Sequence, residues 1–289
     1  MKAQHALVHV DRGVRIRRLT VKVILGIVIY SIAIAYIFPI IYMFLSAFKT
    51  EFQAVYPSLI FEPTTATLRN VLTNPRITSA LRNSLFHVIL GTTLAVLLGV
   101  PAAFQLVFGE FRKKTTNEKL FVWFLVTILL PPVAVIIPIY TWFQAFRLLD
   151  TPWGLLILYV GFNVPIIVWM TYSFFSDLPA EVIEAAYLDG CSKIKQLWYI
   201  AIPLVRPGII AAALLVAVFI WNEFFLAFNL TSPRTATLPV YLARFREQQG
   251  LFVAQLSAAG TVAVLPPIVF GFMTQKALVK GLVKGAVKG

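Results

Sequence analysis

Six long apolar runs constrain how this 289-residue chain can fold more than any other feature of its sequence. A helix needs about 20 mostly apolar residues to cross a bilayer, and it must satisfy its own backbone polar groups because the hydrocarbon holds no water. Only 13% of the residues are charged, against about 25% in soluble domains. We therefore predict an all-α, polytopic membrane protein with six transmembrane helices, at residues 21–48, 81–108, 120–146, 153–175, 209–230 and 252–273.

Nearly the whole chain belongs to one membrane domain in this interpretation. We expect a basic N-terminal tail at residues 1–20, a six-helix domain at 21–275 and a C-terminal tail at 276–289. The first run is longer than the apolar core of a secretory signal and lacks a small-residue cleavage site, so we expect it to be a mature helix.

The basic residues predict the orientation in the membrane. Of the 25 Lys and Arg residues, 17 lie on the side of the two termini and eight on the opposite side. Cytoplasmic connections carry the excess of positive charge, so we expect both termini in the cytoplasm. The net charge of +13 does not indicate nucleic-acid binding, because the basic residues are spread over short loops. Cys191 is the only cysteine, which excludes an internal disulfide and a thiolate metal cluster.

The connection between the fourth and fifth runs, residues 177–207, is too long for a turn and has a helical pattern. Asp177 is typical of the residue that caps the start of a helix. Gly190 can adopt the left-handed conformation that ends a helix, and Ser192 is placed to cap a second one, which we expect to end before Pro203. The pattern predicts a cytoplasmic helix-turn-helix between the fourth and fifth spans.

The same connection contains a spaced motif: Glu184-Ala185-Ala186, three residues, Gly190, nine residues, Ile200, one residue, and Ile202-Pro203. It resembles the EAA loop of permeases in binding-protein-dependent ABC importers, with Ile202 where that family has Leu. The resemblance extends along all six runs, including Trp221-Asn-Glu-Phe224 in the fifth, and is strongest to the carbohydrate permeases for sugars and sugar alcohols. It implies that the ATPase-coupling residues are Glu184, Ala185, Ala186, Asp189, Gly190, Ile200 and Pro203.

The residues of this motif suit a docking role on physical grounds as well. A short helix with small side chains has a low profile and can enter a groove on a soluble protein, where the charge of Glu184 can be paired. The alternative is an amphipathic helix that lies on the membrane surface.

The resemblance implies a non-catalytic subunit that forms half of a translocation path in a bacterial or archaeal plasma membrane. Its implied partners are a second six-helix permease, two ATPase subunits or domains, and an extracytoplasmic solute-binding protein. The sequence has no Gly-x-x-x-x-Gly-Lys-Ser/Thr loop for nucleotide phosphates, so we expect ATP and Mg on the ATPase and no cofactor in this chain. We expect neither catalytic nor metal-ligating residues.

Glu223 is the residue within the runs that most needs an explanation, because charge inside a membrane is costly and tends to face a bundle interior or a watery path. It lies about 22 Å along the fifth helix from Gly208, at 1.5 Å per residue, and therefore in the outer half. Together with Asn222 it could form a polar wall of the translocation path, or it could lock two permease subunits together. Asn163 and Gln105 are further candidates for the path.

Two other features of the runs have structural interpretations. His87 in the second run is expected to be a hydrogen-bonding residue between packed helices rather than a ligand. Prolines, among them Pro131 and Pro132, remove backbone hydrogen bonds inside the runs, as in helices that bend.

The segment before the sixth run mixes charge with amide groups at Arg244, Arg246, Gln248 and Gln249. In the sugar importers that the chain resembles, the corresponding loop reaches the solute-binding protein, which implies that contact here. A solvated loop is the alternative.

Other function classes stay open beside the carbohydrate permease. Peptides or amino acids are possible solutes for a permease of this type. An ion-coupled secondary transporter predicts an inverted repeat and ionisable residues near the midplane, and neither is found in the sequence. A membrane scaffold whose inner loop binds a soluble partner is a third class.

Overall fold

The computed structural model describes residues 12–109, 114–249 and 252–286, with side chains in 20–109, 115–244 and 252–272. These residues form helices joined by turns, and no strand occurs in the described ranges, so the all-α prediction is confirmed. The helices are α1 (Arg12–Ser46), α2 (Glu51–Val55), α3 (Ala66–Thr73), α4 (Pro75–Phe108), α5 (Lys114–Ile128), α6 (Pro132–Ala145), α7 (Pro152–Ser176), α8 (Ala180–Leu188), α9 (Lys193–Lys195), a π-helical turn (Gln196–Ala201), α10 (Ile202–Asn222), α11 (Phe225–Leu230), α12 (Leu238–Gln249) and α13 (Val253–Ala286).

Five helical segments among the described residues are individually long and apolar enough to cross a bilayer: Thr20–Ser46, Pro75–Phe108, Pro152–Ser176, Lys193–Asn222 and Val253–Phe272. The two terminal helices continue beyond the apolar runs, since α1 begins at Arg12 and α13 extends to Ala286. Lys and Arg are good helix formers, which explains how α1 continues into the basic stretch.

The third predicted span is not one helix. It consists of α5 and α6, which meet at an angle of 90°, and six spans result only if this bent pair counts as one. Pro131 has an extended backbone (φ −71°, ψ 132°) directly before Pro132, because a residue that precedes proline is disfavoured in the helical region. The prediction of a continuous helix over 120–146 is therefore wrong.

Helices α4 and α7 run parallel and share the most extensive contact between two helices in the described part of the chain. At one end the His87 ring packs against Tyr159 and contacts the Pro152 carbonyl at 3.1 Å, and at the other end the Phe104 ring packs on Phe175. His87 is buried, and its second ring nitrogen lies 2.7 Å from a carbonyl of its own helix. The predicted packing role of His87 is confirmed.

Helix α10 runs antiparallel to this pair. Gly91 of α4 lies beside Ile220 near one end of α10, and Gly208 near the other end lies against the Phe174 ring of α7. A Cβ atom at Gly208 would lie 2.4 Å from that ring, so the close approach requires glycine.

Helix α13 covers a further side of α10 and also contacts α1. The Trp221 indole N–H donates to the Ala263 carbonyl at 3.1 Å, and Gly260 lies against the Met43 side chain. The described part of α1 is otherwise largely exposed: none of the 18 residues in its most apolar window is buried.

Candidate functional site

Helix α8 ends in a turn whose conformation favours glycine. Gly190 has φ +77°, in the left-handed region that other residues rarely adopt. The Cys191 N–H donates to the Ala186 carbonyl at 3.0 Å, and the Gly190 N–H donates to the Tyr187 carbonyl at 2.9 Å. These two bonds are the pattern of a Schellman motif, so α8 stops at Gly190 as the sequence predicts.

The start of α8 differs from the prediction. Asp177 is the C-cap residue of α7, and Pro179 occupies the N-cap position of α8. A proline side chain cannot accept a hydrogen bond, so α8 begins without a side-chain cap. Ser192 does occupy the N-cap position of α9, but its hydroxyl makes no capping hydrogen bond.

The second arm of the turn does not end before Pro203. From Lys193 onward, α9, the π-helical turn and α10 form one segment of 30 residues that ends at Asn222. Pro203 has no N–H to donate to the preceding turn, and the backbone widens into the π-helical turn directly before it. The prediction of a separate second helix is therefore wrong, because this arm is the first part of the fifth membrane helix.

Gln196 is a residue of this region that the sequence analysis missed. Its side chain is buried, and its Nε2 donates to the Cys191 carbonyl at 2.9 Å, which fixes the turn to the second arm. The sequence offered no clear signal for this role, because Gln196 directly follows Lys195 in a polar stretch.

The predicted coupling residues in and after α8 differ in burial. Ala186 is buried, as is its neighbour Ile183, and α8 contacts the π-helical turn, whereas Glu184, Ala185, Asp189 and Gly190 are exposed. Ile200 is half-buried and Pro203 is exposed on the second arm.

Large apolar side chains accompany the exposed face. Leu188 is 83% exposed and Tyr187 is 66% exposed, and Ile194 and Tyr199 are exposed on the second arm. Exposed apolar groups of this kind mark surfaces that bind another protein or a membrane.

Glu223 lies at a break in the fifth helix, between α10 and α11. Its carboxylate accepts hydrogen bonds from the Tyr159 hydroxyl at 2.8 Å, from the Leu226 N–H at 2.7 Å and from the Ala227 N–H at 3.2 Å. The group therefore connects α7 with the start of α11 inside one chain. The prediction of a continuous span over 209–230 is wrong, since the helix stops at Asn222 and restarts at Phe225.

The other path candidates are not brought together with Glu223. Asn222 is exposed and donates to the Val218 carbonyl of its own helix at 2.8 Å. Asn163 is buried and donates to the Tyr159 carbonyl at 2.8 Å. Gln105 is near the end of α4 that packs on the end of α7, about 24 Å from the level of Glu223 at 1.5 Å per residue.

Residues 231–237, which we call the α11–α12 strap, connect α11 to α12. The Asn83 side-chain amide donates to the Arg234 and Ala236 carbonyls at 3.3 and 3.1 Å, and the Ser84 hydroxyl accepts from the Leu238 N–H at 2.8 Å. The first residues of α12 are therefore fixed to α4.

Arg244 is the one predicted binding-protein residue whose side chain is described. Its Nη2 donates to the Phe228 carbonyl at 3.1 Å and to the Thr231 carbonyl at 2.9 Å, and its guanidinium lies 5.3 Å from the centre of the Phe228 ring. Arg244 thus holds α12 against the end of α11. The side chains of Arg246, Gln248 and Gln249 lie outside the described residues.

Two further charged groups in the connection between α1 and α4 were missed. Lys49 is 0% exposed, and its ammonium group donates to the Ser58 carbonyl at 2.6 Å and lies 4.8 Å from the centre of the Tyr42 ring. The Glu51 carboxylate accepts from the backbone N–H groups of Ala254 and Gln255 at 3.0 and 2.8 Å, at the start of α13. Only a charge next to an apolar run signalled either residue.

Comparison with known proteins identifies relatives over almost the whole length. Residues 95–284 match the family described as binding-protein-dependent transport system inner membrane component. The chain is 30% identical over 279 residues to the trehalose transport system permease protein SugB of Mycobacterium tuberculosis (strain CDC 1551 / Oshkosh), covering 94% of this chain and 99% of SugB. It is 29% identical over 257 residues to the sulfoquinovosyl glycerol transport system permease protein SmoH of Agrobacterium fabrum (strain C58 / ATCC 33970), covering 88% and 89%.

Two solved structures have a similar fold. One is a bacterial ABC transporter involved in the import of the acidic polysaccharide alginate, with a TM-score of 0.75, 24% identity and coverage of 92% of this chain and 98% of that chain. The other is a bacterial alginate ABC transporter in complex with alginate pentasaccharide-bound periplasmic protein, with a TM-score of 0.64, 15% identity and coverage of 91% and 94%. The likeness concerns the fold, and it agrees with the predicted polytopic all-α architecture.

Proposed function

This chain belongs to the family of binding-protein-dependent transport system inner membrane components, and we propose that it forms half of the translocation path of a carbohydrate importer. As a member of this family it is a non-catalytic, multi-pass membrane subunit of an ABC importer. Under the proposal, a second six-helix permease completes the path, and both chains lie in the plasma membrane of a bacterium or archaeon.

The exposed turn after α8 is the observation that carries the coupling part of the proposal. Its free face presents Glu184, Ala185 and Leu188, while Ala186 is buried, and α8 contacts the π-helical turn that precedes α10. A partner bound to the free face would therefore push on a segment that is continuous with α10. We propose that this partner is an ATPase, which binds ATP and Mg, and that its closure moves the turn.

The proposal of a carbohydrate rests on the relatives, since SugB and SmoH are named for trehalose and sulfoquinovosyl glycerol. Asn222 supports it, because an exposed amide at the end of α10 can donate to and accept from hydroxyl groups. We assign Glu223 a structural role beside the path and not a place on its lining, because its carboxylate is turned toward Tyr159 and the start of α11. Asn163 and Gln105 carry no such support, since one is buried against its own helix and the other is distant.

A solute-binding protein is the proposed partner on the side of the α11–α12 strap. This follows from the predicted orientation, in which the turn after α8 and both termini are cytoplasmic and α12 is extracytoplasmic. Residues Arg244, Arg246, Gln248 and Gln249 of α12 are the proposed contacts.

Charge reversal at Glu184 tests the coupling surface. In the complete transporter, Glu184→Lys is expected to abolish co-purification of the ATPase and to lower uptake, because an exposed carboxylate of α8 is replaced by a cation. Asp177→Lys is the matched control: the same charge change at an exposed position outside α8, where we expect normal assembly. Equal behaviour of the two variants would remove the coupling role from α8.

Cys191 offers a direct test of orientation without engineering. It is the only cysteine of the chain, it is partly exposed, and it lies in the turn itself. A membrane-impermeant maleimide should label it in inside-out vesicles and not in intact spheroplasts. Labelling of intact spheroplasts would place the turn on the outer side and contradict the proposed coupling.

A further inference from the structure

Asp150, in the loop between α6 and α7, binds the α11–α12 strap through its whole carboxylate. One oxygen accepts from the Ser232 N–H at 2.9 Å and from the Thr235 hydroxyl, and the other accepts from the Ser232 hydroxyl at 2.7 Å. The backbone N–H of Asp150 also donates to the Leu230 carbonyl, at 3.0 Å. The loop between α6 and α7 is thus joined to the strap by three hydrogen bonds and to the last residue of α11 by a fourth.

The charge and the backbone of Asp150 are both adapted to this role. Burial alone would raise the pKa of the carboxyl, but the hydrogen bonds from Thr235 and Ser232, with Arg234 nearby, outweigh burial and hold the pKa below its ordinary value. Asp150 is therefore ionised at neutral pH and acts only as an acceptor. Its φ of +55° lies in the left-handed region, which aspartate tolerates better than most residues.

The strap has no helix of its own and leads directly into α12. Its far end is fixed by α4 at Leu238, and its near end is fixed by Asp150 at Ser232. A segment of seven residues without these bonds would sample many conformations, and ordering it costs backbone entropy. The carboxylate therefore removes freedom from the segment that leads into α12.

We propose that Asp150 is a positioning residue for the solute-binding protein: its carboxylate holds the α11–α12 strap so that α12 meets that partner in one orientation. This inference rests on the proposed function. The binding protein then finds a preorganised surface, and the entropy of ordering the strap is not lost at each encounter.

The test uses the complete transporter in nanodiscs, with ATP hydrolysis measured against the concentration of its solute-loaded binding protein. Asp150→Gly removes the carboxylate and keeps the left-handed backbone free of strain, and Asp150→Asn keeps the shape and removes the charge. Arg147→Gly is the matched control, since Arg147 lies in the same loop and also has φ +55°.

We expect Asp150→Gly to raise the half-saturating concentration of binding protein about tenfold, with the rate at saturation changed less than about twofold. Asp150→Asn should raise it less, and Arg147→Gly should leave it unchanged. In hydrogen exchange, the Ser232 amide should lose protection in Asp150→Gly and keep it in Arg147→Gly. This readout does not depend on activity.

Several results would overturn the inference. They are unchanged half-saturation in both Asp150 variants, an equal rise in Arg147→Gly, or a fall of the saturating rate alone. Failure of the proposed function has a different signature, because the binding protein would then not stimulate even the unmodified transporter. If Asp150→Gly does not assemble, Asp150→Asn decides by the same two measurements.

Discussion

Replacement of Glu223 by glutamine is expected to destabilise the protein while leaving transport by each assembled complex intact. The carboxylate has two acceptor oxygens for three donors: Tyr159 O–H and the backbone N–H groups of Leu226 and Ala227. Glutamine has one acceptor oxygen, so in either amide orientation its NH₂ group opposes a backbone N–H of α11. The loss of one charge-assisted hydrogen bond corresponds to about 1.5–3 kcal/mol of unfolding free energy.

The assay compares unfolding with uptake in the same preparations. Tyr159→Phe should destabilise by about 1 kcal/mol, because it removes one donor and leaves two, and the double variant should cost less than the sum of the single ones. Asn222→Ala is the control: its amide is exposed and bonded only to its own helix, so we expect a change below about 0.5 kcal/mol. Uptake per assembled transporter should stay within about twofold for the Glu223 variant.

The reasoning is refuted if Glu223→Gln loses uptake more than about tenfold while its unfolding temperature equals that of the unmodified transporter. That result would mean that the carboxylate acts on the solute or on the partner permease. Additive effects of the Glu223 and Tyr159 substitutions would likewise contradict the contact between them.

Three further predictions concern two helix ends and the loop between α6 and α7. Glu51→Gln should lower the unfolding free energy by about 1 kcal/mol, because the carboxylate accepts hydrogen bonds from two N–H groups at the start of α13. Glu62 is exposed in the same connection, so Glu62→Gln should leave the unfolding free energy unchanged. Equal melting curves for the two variants would argue against this cap. Gly190→Ala should lower the unfolding free energy by about 1 kcal/mol through backbone strain alone, since no atom lies within 4 Å of the added Cβ. Gly190→Asn should lower it less, because asparagine tolerates the left-handed conformation better. A larger loss of stability in the asparagine variant, measured by thermal scanning, would contradict the left-handed turn. The difference in unfolding temperature between the unmodified chain and Asp150→Gly should be constant above about pH 5 and shrink below the ordinary pKa of 3.8. The reason is that a carboxyl with a lowered pKa in the folded state loses its stabilising contribution as the pH falls from the ordinary pKa through the folded-state pKa. A difference that grows on acidification would contradict this sign.

The sequence predicted those features that depend on local physics. The apolar runs marked the membrane helices. Gly190 marked the end of α8, because the turn requires a left-handed backbone conformation that glycine adopts readily. Prolines were harder to interpret. Pro131 and Pro132 break the third run completely, whereas Pro203 lies within a continuous segment because the π-helical turn before it accommodates the missing N–H. Proline therefore ends a helix at one position and lies within a continuous helical segment at another, and the neighbouring backbone decides which.

Partners distant in the chain could not be predicted. Glu223 lies 64 residues from Tyr159, and Asp150 lies 82 residues from Ser232. One carboxylate in an apolar run indicates that a partner is needed, but the partner's identity depends on how the helices pack. Asp150 gave even less signal, because a charged residue in a short loop is ordinarily solvated.

The unbroken backbone from Lys193 to Asn222 has a mechanical consequence. At 1.5 Å per residue this rod is about 45 Å long, and it begins three residues after the turn at Gly190 and ends one residue before Glu223. A rod without a joint converts a sideways displacement of one end into tilt, so the opposite end swings the other way about the point where Gly208 touches Phe174. The far end of the rod lies next to Glu223, so the tilt would arrive at the break where the fifth helix stops at Asn222 and restarts at Phe225.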